Sequence, residues 1–281
     1  MSPPLANLDH QTRRDFLRAL TAASSLLATA KSTASDADKA HADAVALFKP
    51  GTEKILILLY PGFTALDAIA PHYVLAGMTG ASVKFIAATL DPVPSESGFT
   101  VSPQLSFDQC PDKPDLLLIP GGTAGTVQAI ENPALLDFVR QTGEASKMAG
   151  GICTGGLILG AAGLLKGRRA TSHWQTLDLL PIVGAEPVKQ RVVIDGNRIT
   201  CGGVTAGIDL GFELLRQYRG DFYAQGVQLL AEYDPQPPFP NAGNPATAAP
   251  EVVALLNHMH SDYVAGWGKK LSAVMEQQRV K

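Results

Sequence analysis

Charge is scarce in this chain of 281 residues. Asp, Glu, Lys and Arg together make up 17%, and the formal net charge is −3. So small a balance leaves no electrostatic footprint for nucleic acid, which needs a concentrated basic face. The basic cluster at Lys166, Arg168 and Arg169 reads as solvated turn charge. Long apolar runs are missing too. None approaches the ~18–20 residues of a membrane-spanning helix, so no stable membrane insertion is expected. Metal-ligand spacing is also absent. His258 and His260 are two apart in an expected helix, so they point to different faces, and neither a metal nor another cofactor is expected. Cysteine is limited to Cys110, Cys153 and Cys201, an odd number that leaves at least one thiol unpaired. A Cys110–Cys201 bridge and three free thiols both remain open.

The N-terminus reads as a targeting segment. Thr12-Arg13-Arg14-Asp15-Phe16-Leu17 is a twin-arginine pattern, followed by an Ala/Leu/Ser stretch and the small-x-small site Ala28-Thr29-Ala30. Together they predict a twin-arginine signal over residues 1–30 and a periplasmic or secreted protein. Residues 31–52 are Ala/Ser/Asp/Lys-rich and read as a linker.

Apolar runs then alternate with helical patterns. Lys54 to Tyr60, Val83 to Ala88 and Asp115 to Pro120 are continuous enough for strands covered on both faces. A helix with Leu66, Ile69, Val74 and Leu75 on its apolar positions is expected after the first strand, bent or restarted at Pro71. Pro133 is placed to begin a helix, and Ser97-Gly98 to turn a short hairpin. Arg191 to Cys201 reads as a second hairpin, turned by Asp195-Gly196-Asn197. From Glu251 an amphipathic helix carries Val252, Leu255, Leu256, Met259, Tyr263 and Trp267 near one face. The alternation predicts an α/β three-layer sandwich with a mainly parallel sheet, whose chemistry gathers beyond the carboxyl ends of the strands.

One stretch offers that chemistry. Gly151-Ile152-Cys153-Thr154-Gly155 has the small-x-nucleophile-x-small form of a nucleophile elbow, with cysteine as the nucleophile. At the start of a helix the sulfur would meet unpaired N–H groups and the positive dipole end, which favour thiolate. A Gly-rich turn around a small, inert, buried cysteine is the alternative reading. Gly121 and Gly122 close another strand, where the N–H groups of Gly122 and Thr154 are candidate oxyanion donors. Asp209, near a helix start, reads as structural, and Gly202-Gly203 is weak evidence for an anion site.

These pieces resemble the ThiJ/PfpI superfamily, with its flavodoxin-like, class I glutamine-amidotransferase-like fold. The likeness runs over residues 53–240. It is carried by Leu59 to Asp67, Ile119-Pro120-Gly121-Gly122, Ile152-Cys153-Thr154-Gly155, the Gly160-to-Trp174 run, Thr205 to Asp209 and Tyr233 to Phe239. Residues 241–281 then form a loop and the terminal helix. Within the superfamily the chain is most similar to the isonitrile hydratases. That resemblance implies a small-molecule substrate, Cys153 as nucleophile, Asp67 as the facing acid and base, and Thr154 beside them. Together with the apolar stripe after Glu251 it also implies a homodimer. Peptidase-like members follow the cysteine with His, whereas this chain has Thr154. Cys201 stands where a small residue is expected, and His72 where an aromatic is usual. His173 is expected near the pocket rim, in a structural or substrate-contact role and not as a general base. The other readings are a glyoxalase-like or amidase-like enzyme with the same dyad, or a non-enzymatic envelope stress or redox protein.

Overall fold

The computed structural model describes Val45 and residues 50–280. The expected export signal and most of the expected linker lie outside the described residues.

Strand β1 (Lys54–Leu58) is an interior strand of the sheet and its first in chain order. Ile55, Ile57 and Leu58 are fully buried and Leu56 nearly so. A strand with no polar face must have helices on both sides. On one side β1 pairs in parallel with β2 (Ser82–Ala87). Beyond β2 lies β5 (Leu105–Ser106), also parallel. On the other side β1 pairs with β6 (Leu116–Ile119), and β6 with β7 (Met148–Ile152). Strand β11 (Arg198–Cys201) continues in parallel, and β10 (Val192–Asp195) closes that edge as an antiparallel hairpin. The order is therefore β10-β11-β7-β6-β1-β2-β5. It reverses direction between β1 and β6, the point at which an open α/β sheet leaves a crevice. Two short ribbons lie outside it, β3 (Val93–Pro94) with β4 (Thr100–Val101), and β8 (Arg169–Ala170) with β9 (Glu186–Pro187).

Helix α1 (Ala65–Leu75) packs against α5 (Ala206–Arg219), which packs against α6 (Asp221–Leu230). A second group joins α2 (Ala124–Ile130), α3 (Pro133–Ala145), α4 (Gly155–Ala161) and α7 (Pro250–Val280). Pro133 starts α3 as expected, with the Asn132 side chain accepting from the N–H groups of Ala134 and Leu135.

Three expectations are corrected. Helix α1 runs on through Pro71 without a restart. It also faces inward with Asp67, Ala68, Ala70, Pro71, Val74 and Leu75, leaving Leu66 and Ile69 exposed. Burying the acid turns those two outward. The stripe on α7 divides as well. Trp267 is buried, while Val252, Leu255, Met259 and Tyr263 are exposed. A 3₁₀ segment at Leu177–Val183, not foreseen, packs against α7 and α4. No helix among the described residues is long and apolar enough to cross a membrane.

Candidate active site

Three strand ends meet at the reversal point. Cys153 follows the last residue of β7 and takes φ 56°, a left-handed conformation that a side chain disfavours. Close packing holds it there. A Cβ on Gly155 would collide with the Ile119 carbonyl, so only glycine lets α4 begin against the end of β6. The Cys153 N–H donates to the carbonyls of Cys201 at 3.1 Å and Gly202 at 3.3 Å. Its carbonyl accepts the Ser172 hydroxyl at 3.0 Å. These bonds fix the elbow from both sides.

Asp67 reaches the same point from the first turn of α1. It has no solvent exposure. Its Oδ2 accepts the Gly121 N–H at 2.9 Å, while Oδ1 has no hydrogen-bond partner. A Cβ on Gly121 would lie 2.6 Å from Thr154 Oγ1 and 3.0 Å from Asp67 Oδ2, so glycine is needed for the contact. Burial pushes the Asp67 carboxyl up to about 8; the Gly121 N–H works against the rise, the Glu96 charge adds to it, and the Cys153 thiol opposes it. Burial, and then the Asp67 charge, push the Cys153 thiol well above its ordinary value, with the Thr154 N–H opposing. Both shifts favour the protonated forms, against the thiolate expected at the helix start: α4 is short, and desolvation opposes its dipole.

Thr154 is placed beside the pair, with its hydroxyl also engaged in a buried network on the Gly122 side. Oγ1 accepts the Gly122 N–H at 3.0 Å and lies 2.8 Å from Thr126 Oγ1. Thr126 in turn donates to the Gly122 carbonyl at 2.6 Å, and the buried Tyr60 hydroxyl, 3.3 Å from Thr126 Oγ1, donates to Pro120 at 2.9 Å. The Gly122 N–H, expected as an oxyanion donor, is thus already engaged. Of the two expected donors, the Thr154 N–H is the one turned to the sulfur.

His173 stands on the far side of the thiol. A Cβ on Gly203 would lie 2.8 Å from Cys153 Sγ and 2.7 Å from His173 Cδ2, so the absent side chain of Gly203 leaves room for both groups. The imidazole is held below its ordinary value by burial and then by His260. Its Nδ1 accepts the Gln175 N–H at 3.4 Å, and no carboxylate orients the ring. Gln175 Nε2 also donates to the Leu256 carbonyl at 3.1 Å, tying this loop to α7. Asp209 lies apart from the pair, paired with Arg191 and accepting the Tyr233 hydroxyl at 2.9 Å.

All three cysteines are free, which decides between the two pairings left open above. Among the described residues no three His, Cys, Asp or Glu side chains gather as a metal cluster. Sequence reasoning missed Thr126, Tyr60 and Glu96. Gly203 carried a signal, a glycine pair before a helix, that was read as an anion site and not as a close approach.

Fold and site together define an α/β protein with a buried cysteine on the strained turn after β7 and a buried acid beside the thiol. The chain belongs to the DJ-1/PfpI family, whose model matches residues 53–217. It is 45% identical over 200 residues to isonitrile hydratase of Pseudomonas putida, covering 71% of this chain and 86% of that one. A deglycase of Thermococcus kodakarensis is 34% identical over 148 residues, covering 52% and 88%. Among solved structures, a ThiJ/PfpI family protein from Pseudomonas syringae superposes with a TM-score of 0.79 at 39% identity, covering 89% of this chain and 99% of that one.

Proposed function

We propose that the protein is a cysteine-dependent hydratase that converts isonitriles to N-substituted formamides. The observation that carries this reading is the fully buried Asp67 carboxyl, seated by the Gly121 N–H beside a buried thiol, where burial favours its proton. An isonitrile carbon accepts a sulfur nucleophile only if the developing anion is protonated, so the reaction needs an acid and a thiol together. The similarity to isonitrile hydratase supports the substrate class.

In the first step Cys153 Sγ bonds to the terminal carbon and Asp67 gives that carbon its proton. The carboxylate so formed takes the thiol proton, which leaves a thioimidate and a neutral acid. In the second step Asp67 protonates the imine nitrogen and receives a proton from the attacking water. Collapse of the adduct breaks the C–S bond, returns the proton to sulfur and releases the formamide. Over the cycle one isonitrile and one water become one formamide, and the carboxyl ends as it began. The Thr154 N–H steadies the sulfur, Gly121 holds Asp67, Gly122 braces Thr154, and His173 walls the pocket.

The test is formamide release from cyclohexyl isocyanide by wild type, Asp67→Asn and Cys153→Ser. Each substitution is expected to lower kcat/KM at least about a hundredfold, the lower end of general acid–base contributions, with the fold intact. His173→Ala is expected to cost less. Methylglyoxal consumption without formamide release by wild type would overturn the hydratase reading, and a His173→Ala defect larger than that of Asp67→Asn would replace it with a Cys–His hydrolase.

A further inference from the structure

Glu96 sits in the turn between β3 and β4, exposed and outside every sequence motif. Its carboxylate is nonetheless shared between two loops of the site. Oε1 accepts the Thr64 hydroxyl at 2.7 Å, and Oε2 accepts the Thr123 N–H at 2.9 Å. Thr64 belongs to the turn from β1 into α1, and Thr123 to the turn from β6 into α2. The same turns meet underneath, where the Thr64 N–H donates to the Gly121 carbonyl at 2.7 Å. The Glu96 N–H donates to Phe63 at 3.0 Å, and the Gly62 N–H to Pro94 at 2.8 Å, so the ribbon is pinned to the β1–α1 turn along its length. The Gly121 peptide is thus fastened on its carbonyl side by Thr64, while its N–H holds Asp67.

We propose that Glu96 is a positioning residue, whose carboxylate straps the β1–α1 turn to the β6–α2 turn and thereby sets the seat of the Asp67 carboxyl. Its charge acts on Asp67 in the same sense as burial, helping to hold the proton. The other titratable groups coupled to Asp67 are Tyr60, Cys153 and Cys201, all buried. Glu96 is the exposed member of the set. The proposal rests on the reading of Asp67 as the acid.

Two variants separate the strap from the charge. Glu96→Gln can keep both bonds, with Oε1 accepting the Thr123 N–H and Nε2 donating to the Thr64 hydroxyl, but it removes the charge. Glu96→Ala removes both. With cyclohexyl isocyanide, Glu96→Ala is expected to lose about tenfold in kcat with KM little changed, because the acid is misplaced and not lost. Glu96→Gln should keep kcat near the wild-type level at pH 6. The ionisation of Asp67 is followed by the infrared band of its protonated carboxyl, assigned by its absence in Asp67→Asn. Its midpoint in Glu96→Gln is expected to fall by about half a pH unit, the scale of one partly screened charge. A Glu96→Ala enzyme with wild-type kcat, or a Glu96→Gln midpoint unchanged from wild type, overturns the proposal. If wild type converts no isonitrile, the hydratase reading fails, and the infrared midpoint of Glu96→Ala, expected to move further than that of Glu96→Gln because the bonds go with the charge, still tests the strap. If Glu96→Ala does not fold, Thr64→Val, which removes the Thr64 bond and leaves the charge, carries the test of the strap, with the same loss in kcat expected and a wild-type kcat overturning it.

Discussion

Replacing the Asp67 carboxyl with an amide should make the fold less sensitive to pH, and the size of that change follows from the site. An ordinary Asp releases its proton near 3.8, whereas Asp67 keeps it to about 8. Between those values the folded chain holds one proton that the unfolded chain has given up. Stability then falls as pH rises, by about 1.4 kcal/mol per pH unit for this one group. The contribution is complete below pH 4 and fully lost above pH 8, so the whole window amounts to roughly 5 to 6 kcal/mol. Such a sum is large against the usual net stability of about 5–15 kcal/mol. Asparagine at position 67 cannot ionise, so its variant lacks the slope. Urea unfolding of wild type and Asp67→Asn at pH 5.5 and 7.5 reads it directly. The stability of wild type relative to the variant should drop by about 3 kcal/mol between those two conditions. A difference constant across them would mean that Asp67 is ionised in the folded protein at neutral pH. It could not then be the proton donor, whatever its position.

Other outcomes follow from neighbouring features. Thr154→Val leaves the Gly122 N–H and the Thr126 hydroxyl short of a buried partner, so it should cost about 1–3 kcal/mol in urea unfolding, with Thr154→Ser recovering most of it. Gly203→Ala places a methyl group against Cys153 Sγ and His173 Cδ2; formamide release should fall at least about tenfold while the melting temperature changes little, and normal activity would mean the wall moves freely. Iodoacetamide labelling of Cys153, read by mass spectrometry, should still be rising with pH above 9, because burial holds the proton on the sulfur. A plateau below pH 7 would reveal a resting thiolate. Export is tested in the native host: the mature protein should begin near Lys31, and replacing Arg13 and Arg14 with Lys should block processing.

Much of this site was legible in the residues. The glycines around Cys153 announced a crossing of chains, and glycine-bounded apolar runs marked the strand ends that carry Asp67, Gly121 and Cys153. Local signals served less well where two physical effects compete. The start of α4 argued for a thiolate, but the depth at which the sulfur lies depends on helices and loops far away in sequence, and that depth decides the proton. The Gly122 N–H looked free because its partner, the Thr154 hydroxyl, comes from 32 positions away. The inward face of α1 was misjudged for a similar reason: hydrophobic periodicity favours Leu66 and Ile69, and nothing in it shows that an acid occupies the buried position. Glu96 carries no periodicity or spacing at all. Its role depends on two turns that meet only after the sheet has formed.

The thiol and the acid owe their meeting to places where backbone passes backbone with no side chain between, at Gly121 and Gly155. What surrounds this pair comes from elsewhere, from the His173 loop, the β3–β4 ribbon and the first turns of α7. Heritable change can therefore reach the two sets separately. Replacing a loop leaves the reactive pair intact, whereas replacing a crossing glycine abolishes it whatever the substrate. A lineage built this way can trade one electrophile for another without rebuilding its machinery, and a hydratase and a deglycase among the relatives of one chain are what such an inheritance would leave behind.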